Sequence, residues 1–88
     1  IENKRVDVSY IDTKFKIGIE IETGTNKTEQ LIQKVQWLNK HFDKWIIVCT
    51  RKNLPKYNKY VDNKKSYCLT PKLAKEKLKE LIATMKHQ

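Results

Sequence analysis

The 88-residue sequence has little of what several protein classes need. Its only glycines, Gly18 and Gly24, exclude the glycine-rich loops that cradle phosphates in nucleotide-binding proteins. Its two cysteines, Cys49 and Cys68, are too few for a secreted disulfide scaffold, and no His or Cys lies near them at zinc spacing. The sequence has no run of 18 apolar residues and no signal-peptide pattern. We therefore expect a soluble, cytoplasmic protein without membrane contact.

Acidic residues are also in the minority. The chain has 19 Lys and Arg against 10 Asp and Glu, a formal net charge of +9. A field of this sign attracts anions such as nucleic acid, so clustered carboxylates stand out against it. The length is that of one small domain, residues 1–88, with a single thin core. The chain starts on Ile1 rather than Met, which indicates a processed chain or part of a longer one.

Residues 5–22 read as two strands joined by a tight turn, RVDVSYI-DTK-FKIGIEIE. Successive residues of a strand face opposite sides, so alternation predicts one apolar and one polar face. The apolar face comprises Val6, Val8, Tyr10, Phe15, Ile17, Ile19 and Ile21, and the polar face comprises Arg5, Asp7, Ser9, Lys16, Gly18, Glu20 and Glu22. Three acids are therefore expected to share a face.

Two registers of this hairpin keep the apolar faces together. A two-residue turn at Asp12 and Thr13 sets Asp7 opposite Gly18 and diagonal to Glu20, with Cβ atoms roughly 7–8 Å apart or less. A longer turn sets Asp7 directly opposite Glu20. In either register the two carboxylates are close enough to share one cation, and Gly18 leaves space beside Asp7 for a metal or phosphate.

The rest of the chain predicts a small mixed sheet with helices packed on it. An apolar stripe predicts a helix over residues 28–42, with Asn26 and Glu29 spaced as a capping box. The apolar run 45–49 suits a strand buried on both faces and parallel to the strand before the helix. Residues 66–69 are a candidate short strand, and Thr70 is predicted to cap a helix that starts at Pro71. The predicted order is β-β-α-β-(β)-α, of the α/β (α+β) class.

Each cysteine closes a strand-like run, so Cys49 and Cys68 are candidate neighbours. We interpret them as small buried hydrophobic residues. A disulfide stays open as an alternative for a hyperthermophilic source, where intracellular bridges occur.

Residues 5–50 contain an aspartate on one strand, a tight turn, an E-x-[K/E]-like tripeptide on the next strand, a helix and an apolar strand. In this order of features, the segment resembles the PD-(D/E)XK nuclease superfamily. The resemblance implies a restriction-endonuclease-like core and metal-dependent hydrolysis of phosphodiester bonds. By this resemblance, Asp7 matches the strand aspartate, Glu20 opens the tripeptide, and Ile21 offers its backbone carbonyl to Mg²⁺ or Mn²⁺. Hard oxygen ligands suit these cations. The superfamily's leading helix and strand are missing here, and Val6 replaces its usual proline.

Glu22 stands where the superfamily usually has a lysine, a role that sometimes moves to the following helix. Gln30 and Lys34 lie one helical turn apart beside the apolar stripe and are expected to reach the carboxylates. There they would position water or stabilise charge on the phosphate. Lys16, on the polar strand face, is a second candidate for the positive charge. The predicted catalytic set is Asp7, Glu20, Glu22, Gln30 and Lys34, with Asp7, Glu20 and Ile21 as metal ligands.

The basic stretch 51–65, RKNLPKYNKYVDNKK, is a second functional signal. Lysines interleaved with tyrosines pair with phosphates and stack on bases. The predicted nucleic-acid contacts are Lys16, Arg51, Lys52, Lys56, Tyr57, Lys59, Tyr60, Lys64 and Lys65. The alternative is a solubilising loop in a lysine-rich protein.

The sequence thus favours a metal-dependent endonuclease or exonuclease domain acting on DNA. Because the domain is too small to bury its sheet fully and one site cuts one strand, we also expect a homodimer. Two alternatives stay open: a non-catalytic nucleic-acid-binding module, and a protein-interaction or assembly domain whose charge is incidental. Divalent-metal binding separates the first function from the other two, and salt-dependent DNA affinity separates the first two from the third.

Overall fold

The computed structural model describes residues 6–87, which form a four-stranded mixed sheet with helices on both faces. The strands are β1 (Val8–Ile11), β2 (Lys16–Ile21), β3 (Lys44–Val48) and β4 (Ser66–Leu69); the helices are α1 (Thr28–His41), α2 (Leu54–Asn58) and α3 (Pro71–Lys86). The strand order is β1-β2-β3-β4, with β1 antiparallel to β2 and the other pairs parallel. The predicted small mixed α+β architecture is confirmed. None of the helices in this part of the chain is long and apolar enough to cross a membrane.

One helix was not predicted. The basic stretch 51–65 has no clear hydrophobic period, yet it begins with a 3-10 turn at Arg51–Asn53 that leads directly into α2. Pro55 lies in the first turn of α2, where its missing N–H costs nothing. The buried side chain of Tyr57 anchors this short helix to the sheet.

The β1–β2 hairpin adopts the longer of the two predicted turns. Ile11 pairs with Lys16, and the Asp12 N–H donates a 2.9 Å hydrogen bond to the Phe15 carbonyl. A two-residue turn at Asp12 and Thr13 is therefore wrong. Val8 pairs with Ile19, and continuing this register by one residue sets Asp7 opposite Glu20.

The sheet separates two apolar clusters. On one face, α1 and α2 cover Trp45, Ile47 and the two cysteines; on the other, α3 covers Phe15, Ile17, Ile46 and Val48. Strand β3 is thus buried on both faces, as its continuous apolar run predicts. The Sγ atoms of Cys49 and Cys68 lie 3.7 Å apart as free thiols in the first cluster. Burial raises the pKa of both thiols, that of Cys68 to about 12, so both are held protonated.

Alternation holds along β2 but fails just before β1. Ile17 and Ile19 share the predicted apolar face, which packs on α3, whereas Ile21 lines an open groove beside Pro71 and Leu78 of this helix and is 55% exposed. Val6 packs against the α1 side rather than sharing the face of Val8 and Tyr10, because the chain bends at Asp7. Arg5, predicted on the polar face, lies outside the described residues.

The two long helices begin close to their predicted positions, but their caps differ. Lys27, not Asn26, is the cap of α1, and its N–H donates to Gln30 Oε1 at 3.4 Å. Thr70 occupies the cap position of α3 without a side-chain hydrogen bond. The predicted apolar stripe of α3 faces the sheet, with Ala74 and Leu81 buried.

Candidate functional site

Two buried glutamates lie at the carboxyl end of β2. Because strand residues alternate, Glu20 and Glu22 face α1 together with Gly18, and they are 3% and 5% exposed. The sequence suggested that Gly18 leaves space for a metal or phosphate, but Phe42 occupies this space. A Cβ atom built there would lie 3.1 Å from the ring of Phe42, so the missing side chain lets the end of α1 approach β2.

Lys34 joins the two glutamates. Its Nζ lies 3.0 Å from Glu20 Oε2 and 3.0 Å from Glu22 Oε2. Burial alone would lower the pKa of this ammonium, but the hydrogen bonds that it donates to the two carboxylates outweigh burial and raise the pKa. The structure therefore brings together the helix lysine and the strand acids that the sequence placed on facing elements.

The environment of Glu20 is the most unusual in the site. Burial, together with the smaller effect of the negative charges of Asp7 and Glu22, raises its pKa to about 7 against the opposing effect of Lys34. Within residues 6–87, its Oε1 is the buried side-chain atom without a hydrogen-bond partner. An unsatisfied buried oxygen costs free energy unless a proton or a cation reaches it.

Asp7 completes the acidic group from the neighbouring strand. Its Oδ2 accepts a 2.8 Å hydrogen bond from the Ile21 N–H. Because β1 begins only at Val8, this side chain provides the hydrogen-bond acceptor in place of a backbone carbonyl of β1. The N–H and C=O groups of one strand residue point to the same edge, so the Ile21 carbonyl faces this side as well. Asp7 is close enough to Glu20 for its negative charge to raise the pKa of Glu20.

Two predicted residues lie apart from this group. Gln30 is exposed and accepts the Lys27 N–H at the start of α1 instead of reaching the acids. Lys16 lies at the opposite end of β2, four residues or roughly 13 Å from Glu20, where its backbone N–H donates to Asp43 Oδ2 at 2.7 Å. The structure thus gathers Asp7, Glu20, Glu22 and Lys34, with Ile21 beside them.

The basic stretch does not form one surface, because it runs from the carboxyl ends of the parallel strands back to their amino ends. Arg51 and Lys52 follow β3 at the end that carries the acids. Lys64 and Lys65 precede β4 at the opposite end, where Lys65 Nζ donates to the Asn39 carbonyl at 2.8 Å. Exposed Lys59 lies between the two ends, 5.6 Å above the ring of half-buried Tyr60.

Two residues of the stretch are structural rather than free to contact a ligand. Tyr57 is 0% exposed, so its ring has no face for a nucleobase, and predicting it as a stacking residue was wrong. Lys56 Nζ donates to the Gly24 carbonyl at 2.6 Å and to the Asn26 carbonyl at 3.3 Å. Neither role has a local sequence signal, because the partners are at least 30 positions away.

The donor set fits a hard divalent cation, although no three His, Cys, Asp or Glu side chains between residues 6 and 87 are arranged to hold one. The Lys34 ammonium contacts both glutamates and neutralises part of their charge. Glu20 Oε1 remains without a partner beside Asp7, and carboxylate oxygens are the ligands that Mg²⁺ and Mn²⁺ prefer. Asp7, Glu20 and the Ile21 carbonyl are therefore the residues suited to the ion.

Comparison with protein-family models, with curated proteins and with solved structures finds no match to this chain. The site is therefore characterised by its own geometry and charge: three carboxylates and one ammonium at the carboxyl end of β2.

Proposed function

We propose that this domain binds DNA and hydrolyses its phosphodiester bonds with Mg²⁺ or Mn²⁺, as a divergent PD-(D/E)XK nuclease with a restriction-endonuclease-like core. The observation that carries the proposal is the pair of buried acids Glu20 and Glu22 joined by half-buried Lys34, with one Glu20 oxygen unpartnered and Asp7 opposite Glu20 in the hairpin register. Buried carboxylates with perturbed pKa values cluster at functional sites.

Asp7, Glu20 and the Ile21 carbonyl would hold the cation. When bound, it would supply an activated water and neutralise charge on the phosphate. The hydrogen bond from the Ile21 N–H orients the Asp7 carboxylate, so this ligand is positioned before any ion arrives. Burial of Glu20 at 3% exposure places its carboxylate in a less polar environment, which strengthens local electrostatic interactions.

Glu22 stands where the superfamily usually has a lysine, and this is consistent with the function because Glu22 binds Lys34, which α1 contributes. Its Oε2 accepts a 3.0 Å hydrogen bond from Lys34 Nζ, so the ammonium is oriented from two sides. Lys34 would stabilise charge that develops on the phosphate, the task of the superfamily's strand lysine. Gln30 and Lys16 take no part in this proposal.

The DNA contacts are assigned to the carboxyl ends of the three parallel strands. The connections after β2 and β3 and the first two turns of α3 lie at this end of the sheet, and all three carry exposed cations. We define the C-terminal rim as Lys27, Arg51, Lys52, Lys72 and Lys75. A DNA backbone held by this rim would run past the buried acids. Each phosphate contact that is removed makes the DNA affinity depend less steeply on the salt concentration.

The rim predicts which lysines matter. Replacing Arg51 and Lys52 by Ala should weaken DNA binding and flatten the slope of log K against log salt by about two units, one for each lost phosphate contact. The matched double variant of Lys16 and Lys64 removes the same charge at the other end of the sheet and should leave the slope unchanged. Fluorescence anisotropy over a salt series measures both. Equal losses in the two variants would contradict a rim restricted to one end.

The direct test of hydrolysis is incubation with supercoiled plasmid and with single- and double-stranded oligonucleotides, with EDTA or with added Mg²⁺ or Mn²⁺. We expect cleavage that requires the divalent ion. Salt-sensitive DNA binding without cleavage under any divalent ion would instead support the second function, a non-catalytic nucleic-acid-binding module. The contact of Lys34 with both glutamates favours this alternative specifically, since the pair is already partly neutralised without a metal.

A second copy of the chain would complete a double-strand-cutting unit. Strand β1 is at the edge of the sheet, carries no charged residue, and includes the exposed apolar residues Val8 and Ile11. Uncharged edge strands pair readily with another chain. We expect a dimer in sedimentation velocity at micromolar concentration, and a monomer for Val8→Lys. Leu73→Lys, which changes an equally exposed residue of α3, is the control. A monomeric wild-type protein would contradict the dimer.

A further inference from the structure

The connection from β2 to α1, residues 22–27, begins with Glu22 and joins the strand that carries Glu20 to the helix that carries Lys34. Two consecutive side chains of α2 bind it. The Tyr57 hydroxyl accepts the Gly24 N–H at 2.8 Å and donates to Asn26 Oδ1 at 3.2 Å. Lys56 Nζ donates to the backbone carbonyls of Gly24 and Asn26.

The backbone of this connection has little freedom to move. Gly24 has φ +91°, a conformation that other residues rarely adopt, and a Cβ atom there would lie 2.9 Å from Asn53 Nδ2. Asn53 ends the 3-10 turn before α2, so a third side chain of the same segment contacts the same glycine. The negative charge of Glu22 affects the pKa of Tyr57, which shows that the phenol lies near the acidic group.

We infer that Lys56 and Tyr57 are positioning residues, which clamp residues 22–27 and thereby fix Lys34 against Glu20 and Glu22. The other side-chain hydrogen bonds of this connection are local and exposed: the Lys27 N–H donates to Gln30 Oε1 at 3.4 Å, and the Thr23 and Thr25 hydroxyls lie 3.2 Å apart. A shift of the helix by a fraction of its turn would separate the 3.0 Å contacts, because one ammonium can donate to both carboxylates only while both are in place. The catalytic consequence rests on the proposed function; the effect on Lys34 does not.

The chain contains a matched control. At the other end of the sheet, Lys44 Nζ and the Tyr67 hydroxyl both donate to the Lys64 carbonyl, at 2.6 and 2.8 Å. The double variant Lys56→Met with Tyr57→Phe removes one ammonium and one hydroxyl from the clamp. Lys44→Met with Tyr67→Phe removes the same two groups from a connection that does not lead to the site.

The experiment measures the two double variants by two methods below their unfolding temperatures. In the ¹H–¹⁵N spectrum, we expect the clamp variant to lose the slowly exchanging Lys34 ammonium signal, and the control variant to keep it. In single-turnover cleavage at saturating DNA, we expect the clamp variant to be about 10- to 100-fold slower with an unchanged Kd, and the control to match wild type.

The outcomes separate the inference from the function on which it rests. An unchanged Lys34 signal in the folded clamp variant overturns the inference, whether or not the protein cleaves DNA. A lost signal with no cleavage by any form, wild type included, supports the clamp and rejects the nuclease. Equal effects of both double variants overturn the inference, because they would reflect stability alone.

Discussion

Replacing Asp7 by Asn or Glu20 by Gln is expected to reduce DNA hydrolysis by about two to three orders of magnitude, the scale on which single charge-stabilising groups act in active sites. Each change removes a negative ligand charge that the proposed cation needs, and so weakens water activation. DNA binding should persist or tighten slightly, because the acids repel the phosphates that approach the rim. Initial rates with Mn²⁺ and anisotropy with Ca²⁺ measure the two effects separately.

The structure supplies a close control for each change. Asp43 accepts the Lys16 N–H at 2.7 Å, just as Asp7 accepts the Ile21 N–H at 2.8 Å, but at the other end of β2. Asp43→Asn should therefore keep full activity. Exposed Glu29 of α1 provides the matching Glu→Gln control. Metal-dependent cleavage that is indifferent to changes at Asp7 and Glu20 would place the site elsewhere or reveal a contaminant.

The free energy of unfolding is expected to fall as the pH rises through neutrality, because of Glu20. Its pKa is about 7 in the folded chain against 4.5 for an ordinary glutamate, so the folded state binds more protons between these values. A raised carboxyl pKa gives a contribution that is complete below pH 4.5 and lost as the pH passes 7. The difference corresponds to about 3 kcal/mol for a shift of this size.

Urea unfolding between pH 4.5 and 8 measures this contribution against Glu20→Gln, which cannot titrate. We expect the variant to be the more stable protein at pH 8, and the gap to close toward pH 5. Asp62 does not interfere, because backbone N–H groups of Lys64, Lys65 and Ser66 lower its pKa, so its contribution is lost only toward acid pH. Parallel pH profiles for the two proteins would mean that Glu20 titrates normally.

The polar face of the hairpin is predictable because alternation is a local property. Any strand over residues 16–22 puts Gly18, Glu20 and Glu22 on the side opposite Ile17 and Ile19, whatever packs around it. Helical periodicity likewise places Lys34 at the border of the stripe formed by Leu31 and Leu38. Both patterns depend on the repeat of a single element, which neighbouring elements do not alter.

The turn between β1 and β2 is different, because two registers share the same pattern. They differ by two residues, so every side chain keeps its face under both. Burial of Phe15 among the residues under α3, and the hydrogen bond of Asp43 to the Lys16 N–H, accompany the longer turn. Both contacts involve elements far along the chain.

The sequence by itself determined the class of the fold, the shared face of the acids and the facing lysine, since these follow from periods of two and 3.6 residues. Only the tertiary structure decided that Phe42 fills the space beside Gly18, that Tyr57 is buried, and that the basic stretch divides between two ends of the sheet. The physical reason is that these features depend on contacts between distant segments. Such contacts depend on which apolar surfaces are still exposed once the strands and helices have formed. A local sequence pattern does not contain this information.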